Sequence, residues 1–190
     1  MKKVDAGKLS QDLGYRFEYV SGFMGFGEED VRAIHDAAAH LAPLVPTLVD
    51  AVYDRLFSYD ITKAFFAQPQ HGYEGETVAH EDELTLDHPQ VAFRKQHLAN
   101  YLVRLVTKPY DESMLKYLDA VGGMHTPNLG NAELVVPIVH VNALFGFVNS
   151  ALIATLASLD IGAEDKVRMQ SAFTKLLWIQ NDLFSRNYGN

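Results

Sequence analysis

Cysteine is absent from this chain of 190 residues. Without it the protein can form no disulfide bond, thiolate zinc site or iron–sulfur cluster, and it has no catalytic thiol. The sequence also lacks a glycine-rich phosphate loop, a nucleophile elbow and a credible acid–base pair. We therefore predict no catalytic residue.

Basic residues are also scarce. The 16 lysines and arginines are outnumbered by 24 aspartates and glutamates, which gives a formal net charge of -8. Nucleic acids and anionic membranes bind basic surfaces, and no local cluster of Lys and Arg supplies one here. The first residues, MKKVDAGKLSQD, lack the apolar core of a signal peptide. We therefore expect a cytoplasmic protein that binds neither nucleic acid nor membrane.

Charge is absent altogether between residues 134 and 159, a stretch long enough to span a bilayer. This stretch contains Pro137, His140 and small polar residues, and the nearest charges are Glu133 and Asp160. Acidic flanks do not fit the excess of Lys and Arg that borders membrane spans on the cytoplasmic side. We therefore predict a helix that is buried on most sides within a helical protein.

Helical periodicity dominates the rest of the chain, and no segment alternates polar and apolar residues as a strand would. We find no repeat and no linker, so we predict a single domain over residues 1–190. Its predicted class is all-α, with about six to eight helices. The predicted helices cover residues 27–41, 47–58, 89–107, 111–125, 134–159 and 163–187, with a short helix or turn over 8–14, a turn over 60–67 and a polar loop over 68–88.

One histidine lies on the apolar face of the helix predicted over 111–125. Met114, Leu118, Val121 and His125 are spaced by four, three and four residues, which places them on one helical face. The proline two residues after His125 ends the helix. His125 is therefore expected in the last helical turn, with its side chain pointing inward.

Two roles are open for this histidine. The carbonyl of Val121 has no helical partner, so it could accept a hydrogen bond from one ring nitrogen and leave the other as a metal ligand. Gly122 and Gly123 would then leave room beside it for a large flat group. Alternatively, His125 is a structural histidine satisfied by a carbonyl and a neighbour, which is the commoner role of a lone histidine on an apolar face.

The composition favours the ligand role. An all-helical chain rich in Phe and Tyr suits a haem pocket, which needs one axial imidazole and apolar walls. No Cys-x-x-Cys-His sequence is present, so any haem would be held non-covalently.

Several segments, taken in order, carry a resemblance to a known family. They are GFGEEDVRAI, VDAVYDRLF, KPYDESMLKYLDAVGGMHTPNLG, ELVVP and KLLWIQNDLFSRNY. Over residues 8–188 their order and spacing resemble the protoglobins and the similar globin domain of globin-coupled sensors. The resemblance implies a globin fold, a helical sandwich around a haem pocket, with a short N-terminal helical extension. It also implies non-covalent haem b and a homodimer formed through the last two helices.

The resemblance also implies roles for individual residues. His125 falls where the family has its proximal iron ligand. Tyr53 falls where the family has a distal tyrosine, which donates a hydrogen bond to a bound diatomic gas such as O2, CO or NO. The full set of haem-binding residues that it implies is Tyr53, Phe65, Phe66, Leu98, Tyr101, Leu102, Val121, Met124, Leu129, Phe145 and Phe147.

Two positions depart from the family pattern. Val52 stands beside Tyr53 where the family often has tryptophan, and Leu98 replaces a common aromatic residue. Both changes bear on the distal side of the pocket, where a smaller side chain leaves more room for a ligand.

The other histidines have competing readings. His97 could bind iron as a sixth ligand, or could lie at the surface beside a haem propionate. His140 is interpreted as a core histidine whose ring nitrogens have hydrogen-bond partners within the protein. The acidic loop contains His71, His80 and His88, but their spacing matches no metal site. A solvated loop is the simpler interpretation.

Three functions follow from these patterns. The one we expect is a haem-b globin that reversibly binds O2, CO or NO. An enzyme acting on NO, peroxide or nitrite at the same iron would need an external reductant. A haem-free domain that binds other proteins would be expected to fill the space beside His125 with a bulky residue.

Overall fold

Nine α-helices are present in the computed structural model over the residues that it describes, which are 1–68, 72–78, 80–129 and 135–189. They are α1 (Ala6–Gln11), α2 (Leu13–Met24), α3 (Glu28–Leu41), α4 (Val45–Phe57), α5 (Asp60–Ala64), α6 (Pro89–Thr107), α7 (Glu112–Gly123), α8 (Ile138–Ser158) and α9 (Ala163–Ser185). Short 3-10 turns lie at Ala42–Leu44, Glu81–Glu83 and Arg186–Tyr188. These ranges contain no strand, and the predicted all-α class is confirmed.

Aspartate side chains set where two of the helices begin. The carboxylate of Asp12 accepts a hydrogen bond from the backbone N–H of Tyr15 at the start of α2. That of Asp111 accepts one from the N–H of Met114, at 3.0 Å, at the start of α7. Each bond satisfies an amide that has no partner within its helix. α2 then ends at Gly25, whose φ of 65° lies in the left-handed region that glycine adopts without strain.

The sequence patterns missed α2, for they predicted only a short helix over 8–14. Its sequence LGYRFEYVSGFM holds two glycines, which lower the helix propensity of the segment. Tertiary contacts compensate, because α2 packs on α7 and α9. Arg16 also donates hydrogen bonds to both carboxylate oxygens of Asp182 on α9, at 2.6 and 2.7 Å. The N-terminal helices are thus anchored to the last long helix.

The last long helix, α9, is the centre of the packing. It contacts α2, α3, α7 and α8. Its buried residues belong to two core clusters, one mainly between α3, α8 and α9 and the other between α2, α6, α7 and α9. A third cluster lies between α4, α6 and α8 and includes Tyr53, so this cluster holds the predicted distal side of the site.

α8 differs from its prediction in both extent and burial. It begins at Ile138, and the predicted residues before 135 lie outside the described part of the chain. Only Val141, Leu152 and Leu156 of the helix are buried, and buried residues make up 11% of its most apolar stretch. The prediction of a helix buried on most sides is therefore wrong. An apolar composition indicates that the side chains of a helix are buried against other residues, but it does not indicate that those residues belong to the same chain. Among the described helices, α8 is the one long and apolar enough to cross a bilayer.

The closest approach between α7 and α9 is made possible by Gly122. A Cβ atom at this position would lie 2.8 Å from Phe184 Cα and 3.2 Å from Asn187 Nδ2. A backbone atom cannot move aside as a flexible side chain can. The two helices can therefore keep this spacing only with glycine at residue 122.

We predict that Gly122→Ala lowers the free energy of unfolding by about 1–3 kcal/mol, because the added methyl forces α7 and α9 apart. Urea unfolding followed by circular dichroism would measure the change. The matched control is Gly22→Ala in α2, where a Cβ atom would meet nothing within 4 Å. Alanine there should raise the stability by about 0.5–1 kcal/mol through its helix propensity. A Gly122→Ala protein as stable as the wild type would contradict the prediction.

Candidate functional site

His125 is held by a hydrogen bond to the helix that precedes it. Its Nδ1 lies 2.9 Å from the carbonyl oxygen of Val121, the contact that the sequence predicted. The proton on Nδ1 therefore points to that carbonyl, and Nε2 is left with its lone pair. No described residue forms a hydrogen bond with Nε2. Burial lowers the pKa of His125, so the imidazole is neutral near neutral pH, as a metal ligand must be.

The turn around His125 is also fixed. α7 ends at Gly123, so His125 lies just beyond the helix and not within its last turn as predicted. Its backbone N–H donates to the Gly122 carbonyl at 3.2 Å, and the Thr126 hydroxyl donates to the Gly123 carbonyl at 2.8 Å. The ring of Phe184 lies 5.5 Å from the imidazole, centroid to centroid. Hydrogen bonds and a ring contact together orient the side chain.

The two glycines before His125 do not serve the purpose that the sequence suggested. Gly122 faces the backbone of α9, and a Cβ atom at Gly123 would lie 2.6 Å from Leu129 Cδ1. At Gly122 the prediction of room for a flat group is therefore wrong, because the backbone of α9 fills that space. Gly122 thus serves the packing of α7 against α9, whereas Gly123 accommodates the side chain of Leu129.

Tyr53 contributes a phenol to the third core cluster. It is 5% exposed, and its ring lies 5.5 Å from that of Phe66. Burial raises the pKa of Tyr53 well above its ordinary value, so the hydroxyl stays protonated. The hydroxyl forms no hydrogen bond with the residues that the structure describes. It is therefore a donor available to a ligand.

Arg94 is a residue of this region that the sequence analysis missed. Its Cζ lies 4.9 Å from the centre of the Phe66 ring, and its Nη2 donates to the carbonyl of Gln68 at 2.8 Å. Its Nε is buried without a hydrogen-bond partner. Its positive charge opposes the rise that burial causes in the pKa of Tyr53, and it adds to the lowering that burial causes in the pKa of His125, so the guanidinium lies within electrostatic reach of both.

A signal for Arg94 was present in the sequence. In α6, Val91, Arg94, Leu98 and Leu102 are spaced by three, four and four residues, so the arginine stands on the apolar face of its helix. Arginine on such a face is unusual unless the charge has a partner or a function.

The structure brings several of the predicted pocket residues together. Leu98, Leu102, Phe66 and Phe147 join Tyr53 in the third core cluster. On the side of His125, the ring of Phe145 lies 5.2 Å from that of Phe184, which in turn contacts the imidazole. Phe65 packs against the ring of His140 at 5.8 Å.

Other predicted residues lie elsewhere. Tyr101 belongs to the second core cluster, and its hydroxyl donates to Oε1 of Gln180 on α9, so this group is already occupied within the protein. Val121 is half-buried, and it contacts the site through its carbonyl oxygen, which accepts the hydrogen bond from His125. Met124 and Leu129 are 55% and 57% exposed.

The remaining histidines do not assemble a metal site in the described residues, where no three His, Asp or Glu side chains lie close enough to hold an ion. His97 is exposed and packs against Phe93 at 4.5 Å. The Nδ1 of His88 accepts from the N–H of Gln90 and caps α6. His71 lies outside the described residues.

The chain is similar in sequence and in structure to known globins. The family model described as Protoglobin matches residues 13–190. Among solved structures, the globin domain of the Geobacter sulfurreducens globin-coupled sensor superposes with a TM-score of 0.72 at 19% sequence identity, covering 91% of this chain and 97% of that one. At this identity the structural likeness establishes the fold. No curated protein matches the sequence. The chain therefore belongs to the Protoglobin family, as its sequence predicted, and this membership supports a globin-type haem protein.

Proposed function

We propose that the protein holds haem b non-covalently, with His125 as the iron ligand, and reversibly binds O2, CO or NO beside Tyr53. The main support is the hydrogen bond from His125 Nδ1 to the Val121 carbonyl, which fixes the tautomer and leaves Nε2 free to bind a metal. Membership of the Protoglobin family favours a gas-binding or gas-sensing protein over an enzyme.

Each side chain has a defined task in this proposal. When bound, haem supplies an iron with an open coordination position for a gas. His125 contributes a neutral imidazole held in one orientation. Tyr53 stays protonated and donates a hydrogen bond to a ligand with partial negative charge, which favours O2 over the less polar CO. Leu98 and Leu102 pack against the apolar cluster that holds Tyr53, and the lower dielectric there strengthens that bond.

We further propose that a second copy of the chain covers the exposed face of α8 and α9. Val139 and Ile153 of α8 are 62% and 39% exposed, and Trp178 of α9 is 59% exposed. The two helices form one continuous surface, because Thr174, one turn before Trp178, donates to Asn149 of α8 at 3.1 Å. Burying an aromatic and two aliphatic side chains between copies would give this apolar face the cover that its own chain does not supply.

The His125 assignment predicts that the purified protein takes up added haem and gives a Soret band. His125→Ala should weaken or abolish the band, because the iron loses its protein ligand. Free imidazole should restore part of it by occupying the vacated position. The matched control is His140→Ala, which should bind haem as the wild type does. A wild-type protein that takes up no haem would overturn the proposal.

The Tyr53 assignment predicts a change in gas selectivity. Tyr53→Phe should raise the O2 dissociation rate by about tenfold, the equivalent of one hydrogen bond to a charged acceptor, with a smaller effect on CO. Flash photolysis and stopped-flow mixing would measure both rates. Tyr101→Phe is the control, because its hydroxyl is bonded to Gln180. Equal O2 rates in wild type and Tyr53→Phe would exclude the distal role of Tyr53.

The proposed dimer predicts a measurable change of mass. Sedimentation velocity should give a dimer for the wild type and a monomer for Ile153→Glu, because the carboxylate would be buried at the interface. Trp178 is the chain's single tryptophan, so its fluorescence should shift to longer wavelength in the variant. Val103→Glu, at an exposed position of α6, should remain dimeric. A wild type that stays monomeric at tens of micromolar would contradict the proposal.

A further inference from the structure

Arg94 carries a positive charge that the described residues do not neutralise. The ion pairs found in these ranges involve other cations, among them Arg16, Lys95 and Lys175. Taking a guanidinium out of water is unfavourable unless an anion or several hydrogen-bond acceptors replace the water. Among the described residues, the one acceptor for Arg94 is the Gln68 carbonyl, and its Nε has none. The side chain therefore keeps capacity to bind an anion.

A second donor lies beside it. Arg94 and Tyr53 come from different helices, α6 and α4, and both pack against Phe66, at 4.9 Å and 5.5 Å. The guanidinium of Arg94 and the phenol ring of Tyr53 thus pack on the same aromatic ring, and the charge of Arg94 acts on the Tyr53 hydroxyl. Lys95 also lies 5.8 Å from the Tyr53 ring, but it is paired with Asp50 at 2.9 Å. Of these two cations among the described residues, Arg94 is therefore the one without an ion pair.

We propose that Arg94 and Tyr53 together form a binding site for small inorganic anions, such as fluoride, azide or nitrite, in the haem pocket. The inference rests on the proposed function, because ferric iron would hold the anion that these two donors stabilise. A guanidinium stays charged at all working pH values and offers a rigid fork of N–H donors. Its field acts on a full negative charge much more strongly than on a neutral ligand such as CO. The site would therefore favour anions of ferric haem over neutral gases.

A purely structural role for Arg94 must be separated from this one. Gln90 Nε2 donates to the same Gln68 carbonyl at 2.8 Å and to the Phe66 carbonyl at 2.7 Å. Two side chains of α6 thus tether the segment that follows α5. Arg94→Gln can keep a tethering bond while it removes the charge. Gln90→Leu removes a tether and keeps the charge.

The experiment is an equilibrium titration of the ferric, haem-loaded protein with sodium fluoride and with sodium azide, followed by the visible spectrum. CO binding to the ferrous form gives a neutral reference for each variant. Arg94→Gln should lower the ratio of fluoride to CO affinity by about tenfold or more, and Arg94→Lys should lower it less. Gln90→Leu should leave the ratio within about twofold of the wild type.

The outcomes distinguish the two levels of the proposal. A wild type without a Soret band overturns haem binding itself. A normal Soret band with the same ratio in wild type and Arg94→Gln overturns the anion site and leaves haem binding standing. A ratio that falls equally in Gln90→Leu would mean that the tether is responsible, and that also overturns the anion site. If Arg94→Gln does not fold, as judged by circular dichroism, Arg94→Lys decides: a ratio below that of the wild type supports the anion site, and an unchanged ratio overturns it.

Discussion

The contact between α7 and α9 at Gly122 is the constraint on which the candidate site depends. Only glycine permits the backbone of α7 to lie against Phe184 Cα, and α9 in turn contacts four other helices. Because His125 lies two residues after the end of α7, the same contact fixes the position of its imidazole along the helix axis, beside the Phe184 ring. Arg186 strengthens the junction by pairing with Asp119 of α7 at 2.8 Å. The position of the proposed iron ligand is thus set by helix packing.

Three polar groups of the candidate site share one physical condition. His125, Tyr53 and Arg94 are each removed from bulk water, and each keeps a nitrogen or oxygen without a hydrogen-bond partner in the described structure. Desolvation keeps the imidazole neutral and the phenol protonated, whereas the guanidinium keeps its charge. His125 thus offers a neutral metal ligand, Tyr53 a neutral hydrogen-bond donor and Arg94 a permanent positive charge. Their combination suits a site that binds a polar or anionic molecule at a metal.

Local patterns predicted much of this structure. The prediction of α6 over 89–107 coincides with Pro89–Thr107, because Pro89 and the unbroken apolar periodicity mark the helix clearly. The contact of His125 with the Val121 carbonyl followed from a spacing of four residues near a helix end. The family resemblance and the fold were confirmed over nearly the whole chain. These features depend on neighbours close in sequence, or on the order of segments along it.

The sequence by itself determined the helical class, the family and a histidine poised at the end of α7. Only the tertiary structure decided that Gly122 faces α9, that Tyr101 is bonded to Gln180, that α8 lacks cover and that Arg94 lies on Phe66 beside Tyr53. Periodicity shows which face of a helix is apolar, but it does not show which distant segment meets that face. The surroundings of a charged or polar side chain depend on residues far apart in the chain, so they emerge only once the helices have packed.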